Sequence, residues 1–453
     1  MSETVADQAR PEARPASSDL YRAVWRFHFY AGLLVLPFLV LLAVTGGLYL
    51  FRDELDGFFH ADLKRVEAQA GPQATPSAIV AAALAAEPGT PVKYIPPTSP
   101  TASAEVTIKT KAGARDVLYV DPYDARVLGE LPDKGTVMWI VRQLHGLAYF
   151  GPIAEGAIEI VGGWTILLVG TGIYLWWPRR QQGGVVSVRG TPARRVFWRD
   201  LHAVTGIFVG AFVVFMAVTG MPWSVFWGSY VNQWANGHNF GYPSGVRVSV
   251  PMSDEHLHHA GPTSWSLEQA QVPQSTHDGA APISLDAAVA TFDRMGLHAG
   301  YAINLPSGPT GVYTGSVYPD DLTQQRVVHL DQYSGEPLLD MSYADYGALG
   351  RGLEWGINVH MGQEFGLANQ LLMLAVCVAV VLLAVTAAAM WWKRRPQGRL
   401  GVPPLPEDRR KLTGVVAILA IGGVIFPLVG ASLLVVIGLD WLLTRRHGSV
   451  QAA

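Results

Sequence analysis

Long apolar runs separated by polar segments dominate this chain. Residues 29–51, 157–177, 204–226 and 367–392 form four such runs, each near the roughly 20 mostly apolar residues that a helix needs to cross a bilayer. A fifth run, residues 412–443, is interrupted by Gly422, Gly423 and Pro427, and it fits either one long span or a tight hairpin of two short ones. The pattern predicts an α-helical integral membrane bundle with four core spans and a C-terminal one or two.

The first and third spans repeat each other. His28 precedes Thr45 by 17 residues (45 − 28), and His202 precedes Thr219 by 17 (219 − 202). Two imidazoles at one depth on two related helices can bind a haem iron from both sides, and the neighbouring arginines can meet the haem propionates. The alternative is a pair of histidines at the membrane surface, solvated by lipid headgroups.

The second and fourth spans repeat each other in the same way. His145 precedes Trp176 by 31 residues (176 − 145), and His360 precedes Trp391 by 31 (391 − 360). A helix of that length is about 46 Å long, against a hydrocarbon core of about 30 Å, so both histidines are predicted at or just above the outer surface. They either ligate a second haem, contact the substrate's iron, or are ordinary polar residues at a helix entry. The chain has only 13 histidines, so four in matching register favour a shared task.

Basic residues predict the orientation. Arg22 and Arg26 precede the first span, and the segments 178–200 and 393–411 are rich in arginine and lysine, so all three are predicted to face the cytoplasm. The predicted organisation is a cytoplasmic N-terminus (1–26), the first span (27–51), a periplasmic domain (52–144), the second span with its periplasmic entry (145–177), a basic loop (178–200), the third span (201–226), a second periplasmic domain (227–359), the fourth span with its entry (360–392), a basic loop (393–411) and the C-terminal segment or hairpin (412–443).

The two outer segments also repeat. Residues 118–128 match residues 328–338, and each match is an alternating strand that ends in an Asp-containing turn. A helix-like run precedes each strand, at 76–87 and 285–295. This pattern predicts two small α+β domains.

These features together resemble the PepSY-associated transmembrane family of bacterial inner-membrane proteins, over nearly the whole chain. The resemblance rests on the His-to-Thr-Gly spans, the Leu-His-Gly and Val-His-Met segments at His145 and His360, and the strand endings at Asp121 and Asp331. It implies PepSY-like outer domains and a multi-pass protein of the bacterial inner (plasma) membrane. Members are often iron-regulated, and some resemble ferric-siderophore reductases with b-type haem. The first strand ending departs from the pattern, with Asp-Ala at 124–125 where the second has Ser-Gly at 334–335.

Composition narrows the chemistry. The single cysteine, Cys377, excludes C-x-x-C-H attachment, so one or two haem b groups would be held non-covalently. No dinucleotide-binding or P-loop motif occurs, so electrons must come from a quinol or a cytoplasmic donor. The net charge of −3 gives no indication of nucleic-acid binding. The predicted partners are the lipid bilayer, that donor and a periplasmic acceptor.

The sequence therefore predicts a haem b protein that moves electrons across the membrane to a periplasmic acceptor. The resemblance implies that this acceptor is ferric siderophore, reduced to release ferrous iron. One alternative is a transporter of iron chelate or another solute, which midplane charges and broken helices in both halves would support. The other is a regulatory binding protein of the PepSY type, which leaves the four histidines unexplained.

Two further groups are candidates. Glu155 and Glu159, one helical turn apart at the outer end of the second span, are candidates for proton transfer or contact with a cationic substrate, because ionisable groups at membrane depth usually face the protein interior; a merely interfacial position is the alternative. Aromatic residues at steps of four, three and four predict one face of a helix that leaves the membrane, which either binds the substrate or forms an interfacial belt. They are Trp223, Trp227, Tyr230 and Trp234.

Overall fold

The computed structural model describes residues 19–179, 183–238, 240, 252–256, 271–276, 279–397, 401–403 and 409–448. Residues 1–18 and parts of both predicted basic loops lie outside these ranges. The helices are α1 (Asp19–Tyr49), α2 (Arg52–Phe59), α3 (Ala61–Lys64), α4 (Pro76–Ala86), α5 (Val137–His145), α6 (Pro152–Trp176), α7 (Arg195–Gly220), α8 (Trp227–Gly237), α9 (Leu285–Arg294), α10 (Ala348–His360), α11 (Gly366–Arg394), α12 (Arg409–Ile425) and α13 (Pro427–Gly448).

Four helices of the described ranges are long and apolar enough to cross a membrane: α1, α6, α7 and α11. This confirms a helical membrane protein, and the four candidate spans coincide with the first four apolar runs of the sequence. Two of the helices begin earlier than predicted, at Asp19 and Arg195, because backbone hydrogen bonding continues past the apolar stretch.

The chain divides into two compact units. The helical unit comprises Met1–Leu36, Gly163–Gly210 and Val385–Ala453, and the sheet unit comprises Pro37–Gly162 and Ala211–Ala384. Each of the four long helices contributes residues to both units.

The strands of the sheet unit form one antiparallel sheet of eight, in the order β10-β9-β8-β7-β1-β2-β3-β4. They are β1 (Gly89–Ile95), β2 (Ala104–Thr110), β3 (Arg115–Val120), β4 (Val127–Pro132), β7 (Ala302–Asn304), β8 (Val312–Val317), β9 (Arg326–Asp331) and β10 (Pro337–Ser342), and a separate pair consists of β5 (Met252–His256) and β6 (Gln271–Pro273). The two outer segments therefore share one sheet, where the sequence predicted two separate domains. They join because β1 pairs with β7, with Tyr94 opposite Ile303.

One apolar core lies under α4 and α9 and joins the two halves of the sheet. Ile79 and Ala83 of α4 and Phe292 of α9 are almost fully buried against strands from both halves of the sheet. A Cβ on Gly315 would lie 2.6 Å from the Phe292 ring, so only glycine lets this ring lie against β8. The Ser77 amide donates to the Asp286 carboxylate at 2.8 Å and joins the two helices directly.

The departure at residues 124–125 leaves the turn intact. Asp121 accepts a hydrogen bond from the Tyr123 amide at 3.0 Å, and Asp331 accepts one from the Tyr333 amide at 2.8 Å. Ala125 has φ +55°, where Gly335 has φ +72°. The alanine thus adopts the left-handed conformation natural to glycine, at a cost of about 1 kcal/mol.

The fifth apolar run forms the helical hairpin of α12 and α13 rather than one long helix. Pro427 begins α13, as suits a residue without a backbone N–H. A Cβ on Gly423 would lie 2.6 Å from the Cα of Gly430, so these glycines allow the two helices to touch.

The predicted aromatic helix is broken, and the prediction of one continuous face is wrong. α7 ends at Gly220, a 3-10 turn spans Met221–Trp223, and α8 begins only at Trp227. Pro222 lacks the N–H that a continuing helix needs. Trp223 therefore lies outside the helix that carries the other three aromatic residues.

Candidate functional site

The helical unit brings His28 and His202 together. His28 lies on α1 and His202 on α7, and the two imidazoles are near neighbours. His28 Nδ1 lies 2.9 Å from Thr171 Oγ1 on α6, and His202 Nδ1 lies 2.9 Å from Thr386 Oγ1 on α11. Both imidazoles are half-buried. We call these two histidines the helical-unit pair.

The sheet unit brings His145 and His360 together in the same manner. They are the last residues of α5 and α10, and they lie near enough that a proton on His145 would disfavour one on His360. His145 Nδ1 lies 2.9 Å from Thr45 Oγ1 on α1, and His360 Nδ1 lies 2.8 Å from Thr219 Oγ1 on α7. We call these two the sheet-unit pair.

The sheet-unit pair is uncharged at neutral pH. Burial lowers the pKa of His145 to about 4 and the pKa of His360 to about 3, because a desolvated imidazole disfavours the charged form. A neutral imidazole is the form that binds a metal.

The sheet-unit histidines are positioned by caps on their short helices. The amide of Met138 donates to Asp56 at 2.9 Å, the amide of Val137 donates to His60 Nε2 at 3.1 Å, and Thr136 caps the same end of α5. Asp56 of α2, His60 directly after α2 and the N-cap Thr136 thus hold the first turn of α5, the helix that ends in His145.

α10 is held near its C-terminal end, whereas α5 is held at its N-terminal end. Asn369 Nδ2 donates to the Val359 carbonyl at 2.9 Å, and Asn358 Nδ2 donates to the Asp320 carbonyl at 2.8 Å. These bonds hold the side chain of Asn358 and the carbonyl of Val359, the two residues that precede His360. A Cβ on Gly356 would lie 2.8 Å from Thr219 Cγ2, so glycine lets α10 approach the threonine that holds His360.

The space beside the imidazoles is set by glycines that follow the threonines. A Cβ on Gly172 would lie 3.3 Å from His28 Cε1, and a Cβ on Gly46 would lie 3.3 Å from His145 Cε1. At Gly220 the corresponding distance to His360 Cε1 is 3.9 Å. Thr386, the fourth threonine, is followed by Ala387 instead of a glycine.

The metal chemistry open to these sites follows from the ligand count. The described residues contain no group of three or more His, Cys, Asp or Glu side chains that could hold a bare metal ion. Each pair supplies two imidazoles, which is the number of protein ligands in a bis-imidazole haem site.

The arginines near the helical-unit pair have protein partners. Arg26 Nη1 donates to the Pro403 carbonyl, and Arg199 Nη2 pairs with Asp200 at 2.6 Å. Arg189 Nε binds the same buried carboxylate at 2.8 Å. The predicted propionate contacts of Arg26 and Arg199 therefore have to compete with existing bonds.

Glu159 has a structural partner as well. Its carboxylate is 1% exposed and accepts from the amides of Phe226 at 2.9 Å and Trp227 at 3.2 Å. A carboxylate at a helix N-terminus is favourable, so these bonds account for its burial by capping α8. Glu155 is half-buried one turn earlier. Their role in proton transfer stays a prediction.

Two aromatic residues of α8 are exposed, whereas Trp227 is half-buried. Tyr230 is 67% exposed and Trp234 is 52% exposed, while Trp234 stacks on Phe240 with 5.6 Å between ring centroids. Their role in substrate binding also stays a prediction.

A cleft of about 410 Å³ opens in the sheet unit and is lined by His298–Gly300 and Val317–Asp321. Its Tyr318 hydroxyl donates to the fully buried Glu354 of α10. Its Asp320 carbonyl accepts from Asn358 of the same helix. The cleft lining is thus bonded to the helix that ends in His360.

A family model described as the PepSY-associated TM region matches residues 25–394. The chain belongs to the PepSY-associated transmembrane family. The matched range contains both histidine pairs and all four threonines. No curated protein shows a significant match to the chain.

The sequence reasoning missed Thr171 and Thr386. A signal for them was present, because Thr171 follows His145 by 26 residues (171 − 145) and Thr386 follows His360 by 26 (386 − 360). The register that marked the histidines therefore marks these threonines too.

Proposed function

We propose that this PepSY-associated membrane protein binds haem b at its two histidine pairs and transfers electrons to an extracytoplasmic acceptor. The observation that carries the proposal is the doubled geometry. In each unit two imidazoles from different halves of the chain lie together, and each is held through Nδ1 by a threonine.

The residues of both histidine pairs fit a haem b group with two imidazole ligands. His28 and His202 would hold one haem, and His145 and His360 would hold a second. Gly172 and Gly46 leave room at the imidazole edges that a Cβ would narrow to 3.3 Å. When bound, such a haem supplies a one-electron carrier whose potential the protein tunes through its ligands and their hydrogen bonds.

Charged and aromatic residues near the helix ends support a direction of electron transfer in this proposal. Arg179, Arg394 and Arg395 lie near the ends of α6 and α11 in the helical unit, and Arg395 lies 3.7 Å from the centroid of the Trp392 ring. Such Arg and Trp residues are typical of a cytoplasmic membrane interface. The helical-unit pair would accept electrons from a quinol or a cytoplasmic donor, and the sheet-unit pair would serve the acceptor.

The acceptor we propose is ferric iron in an oxygen-donor chelate of the siderophore class. Ferrous iron carries less charge and is softer, so hard oxygen ligands hold it less tightly, and one-electron reduction releases it. The cleft at Tyr318 and Asp320 supports docking near His360, because both residues are bonded to α10. The released ferrous iron would pass to a separate transporter.

The absorption spectrum of the purified chain tests the proposal. We expect low-spin b-type haem bands that shift when dithionite is added and return when a ferric chelate is added. A protein purified from haem-replete cells without such bands would contradict it.

Sealed vesicles of known orientation test the side of reduction. A membrane-impermeant ferrous-iron indicator should report product only on the side that carries the eight-stranded sheet. Product on the opposite side alone would favour uptake of the chelate followed by internal reduction.

The transport alternative receives less support. Pro37 lies inside α1, but the corresponding residue of α7 is Ala211, so the two halves do not share a proline break of the kind that marks many transporter sites. The regulatory alternative still gives the four histidines no task.

A further inference from the structure

We propose that Thr45, Thr171, Thr219 and Thr386 are positioning residues that fix the tautomer and orientation of the four histidines. This inference rests on the proposed function, since it concerns how the histidines present themselves to iron. Each threonine lies 2.8–2.9 Å from the Nδ1 of one histidine.

The direction of these hydrogen bonds follows from the hydroxyl proton. Thr45, Thr171 and Thr219 each donate to the carbonyl four residues earlier, at 2.7, 2.7 and 2.8 Å. A hydroxyl has one proton and two lone pairs. With its proton on the helix backbone, each oxygen can only accept, so the imidazole must donate from Nδ1–H.

A second backbone acceptor lies near two of these hydroxyls. Thr171 Oγ1 lies 3.1 Å from the Leu168 carbonyl and Thr45 Oγ1 lies 3.4 Å from the Leu42 carbonyl. Because a carbonyl only accepts, both contacts keep the hydroxyl proton on the helix backbone.

The consequence is that Nε2 of the neutral imidazoles of His28, His145 and His360 keeps its lone pair, and by the repeat we infer the same for His202. That nitrogen is the one at the far end of the ring from the threonine, and it is the one left to ligate. A metal-binding histidine commonly donates its other N–H to a fixed acceptor, which sets the ring orientation and makes the ligand more basic. A more basic ligand favours ferric over ferrous iron, so each bond should lower the reduction potential of its site.

Within the described residues, a threonine also meets Nδ1 of a histidine that we do not assign as a ligand, and this pair provides an internal control. His329 Nδ1 lies 2.8 Å from Thr314 Oγ1 across β9 and β8, and His329 is fully buried in the sheet. Nε2 of His329 has no hydrogen-bond partner within the described part of the chain. The four membrane-associated histidines are instead half-buried and come in neighbouring pairs.

The test compares three variants of the full chain in detergent. Thr171→Val removes the hydroxyl at nearly constant shape, Thr171→Ser keeps a hydroxyl that can make both bonds, and Thr314→Val removes the sheet bond. Haem titration into the apoprotein and a spectroelectrochemical midpoint are measured, with circular dichroism to confirm that each variant is folded.

We expect Thr171→Val to bind haem at the helical-unit pair 10- to 100-fold more weakly and to shift its midpoint to a higher potential. Thr171→Ser and Thr314→Val should both match the parent. Equal affinity and equal midpoint in the parent and Thr171→Val would overturn the inference while leaving the haem sites in place. A parent protein that binds no haem would instead overturn the proposed function.

Discussion

The two histidine pairs use one hydrogen bond in opposite arrangements. In the helical unit the histidines lie within the long helices α1 and α7, and the threonines lie on α6 and α11. In the sheet unit α1 and α7 carry the threonines, and the histidines end the short helices α5 and α10. A ligand inside a continuous helix is held by that helix on both sides. A ligand at the end of a short helix depends on caps and loops, so the sheet-unit pair should be the easier one to disturb.

The largest expected effect tests whether the two pairs are separate sites. His28→Ala should abolish the haem signal of the helical-unit pair and keep the other. His360→Ala should do the reverse, and it should slow oxidation of the reduced protein by a ferric chelate. Haem per chain and stopped-flow absorbance measure these effects. Loss of all haem in either variant would show that the pairs do not bind independently.

The next prediction concerns the dependence of the sheet-unit pair on caps. Thr136→Ala removes the N-cap of α5 and should cost about 1 kcal/mol, or about fivefold in occupancy of the site at His145 if the loss falls on binding. The helical-unit pair should be unchanged, and Thr75→Ala, which removes the N-cap of α4 in the sheet, is the matched control. Equal weakening of both haem sites by Thr136→Ala would contradict the comparison.

A smaller effect is expected from the glycines. Gly172→Ala places a Cβ 3.3 Å from His28 Cε1, whereas Gly220→Ala places one 3.9 Å from His360 Cε1, which is ordinary van der Waals contact. We expect a displaced midpoint and altered low-spin electron paramagnetic resonance lines for Gly172→Ala alone. Identical spectra for both variants and the parent would show that the ring edges have more freedom than these distances imply.

The last prediction concerns the stability of the fold rather than haem binding, and it separates the effect of burial on a histidine from the effect of ligation. Burial lowers the pKa of His329 to about 3, whereas an unfolded histidine titrates near 6.5. Between these values the unfolded chain binds one more proton, so stability is retained above pH 6.5 and falls as the pH drops toward 3, by at most about 1.4 kcal/mol per pH unit. Thermal unfolding at pH 7 and pH 5 should show a weaker pH dependence in His329→Gln than in the parent. An equal dependence in both would mean that other groups account for it.

The sequence predicted the parts of this molecule that repeat in one dimension. The length of the apolar runs predicted the four long helices. Equal spacing predicted His28, His202, His145 and His360, because spacing along the chain can be counted without knowing how the helices pack. The partners of these residues were harder to see. Thr171 is one of many hydroxyl residues in apolar helices, and only the contact across to α1 distinguishes it.

Long-range pairing was the main feature that the sequence did not predict. The joint of β1 with β7 involves only a few residues, with Lys93 opposite Asn304 and Tyr94 opposite Ile303, and no local pattern encodes it. The break before α8 was missed because the aromatic spacing suggested continuity, although Pro222 was a visible sign against it. The sequence predicts a functional role for Glu159 because it does not show the residue's partners. These partners are backbone amides at the start of another helix.

The pairing of β1 with β7 also sets an order of events when the protein is made. β1 ends at Ile95 and its partner begins at Ala302, so about 200 residues must be synthesised before the central pair can form, which takes on the order of 10 to 40 s at ordinary translation rates. During that interval the edge of β1 that later meets β7 stays open, and open edges invite pairing with other chains. The first half of the sheet is therefore made long before the strand that completes it, and its β1 edge has no partner strand until the second half arrives.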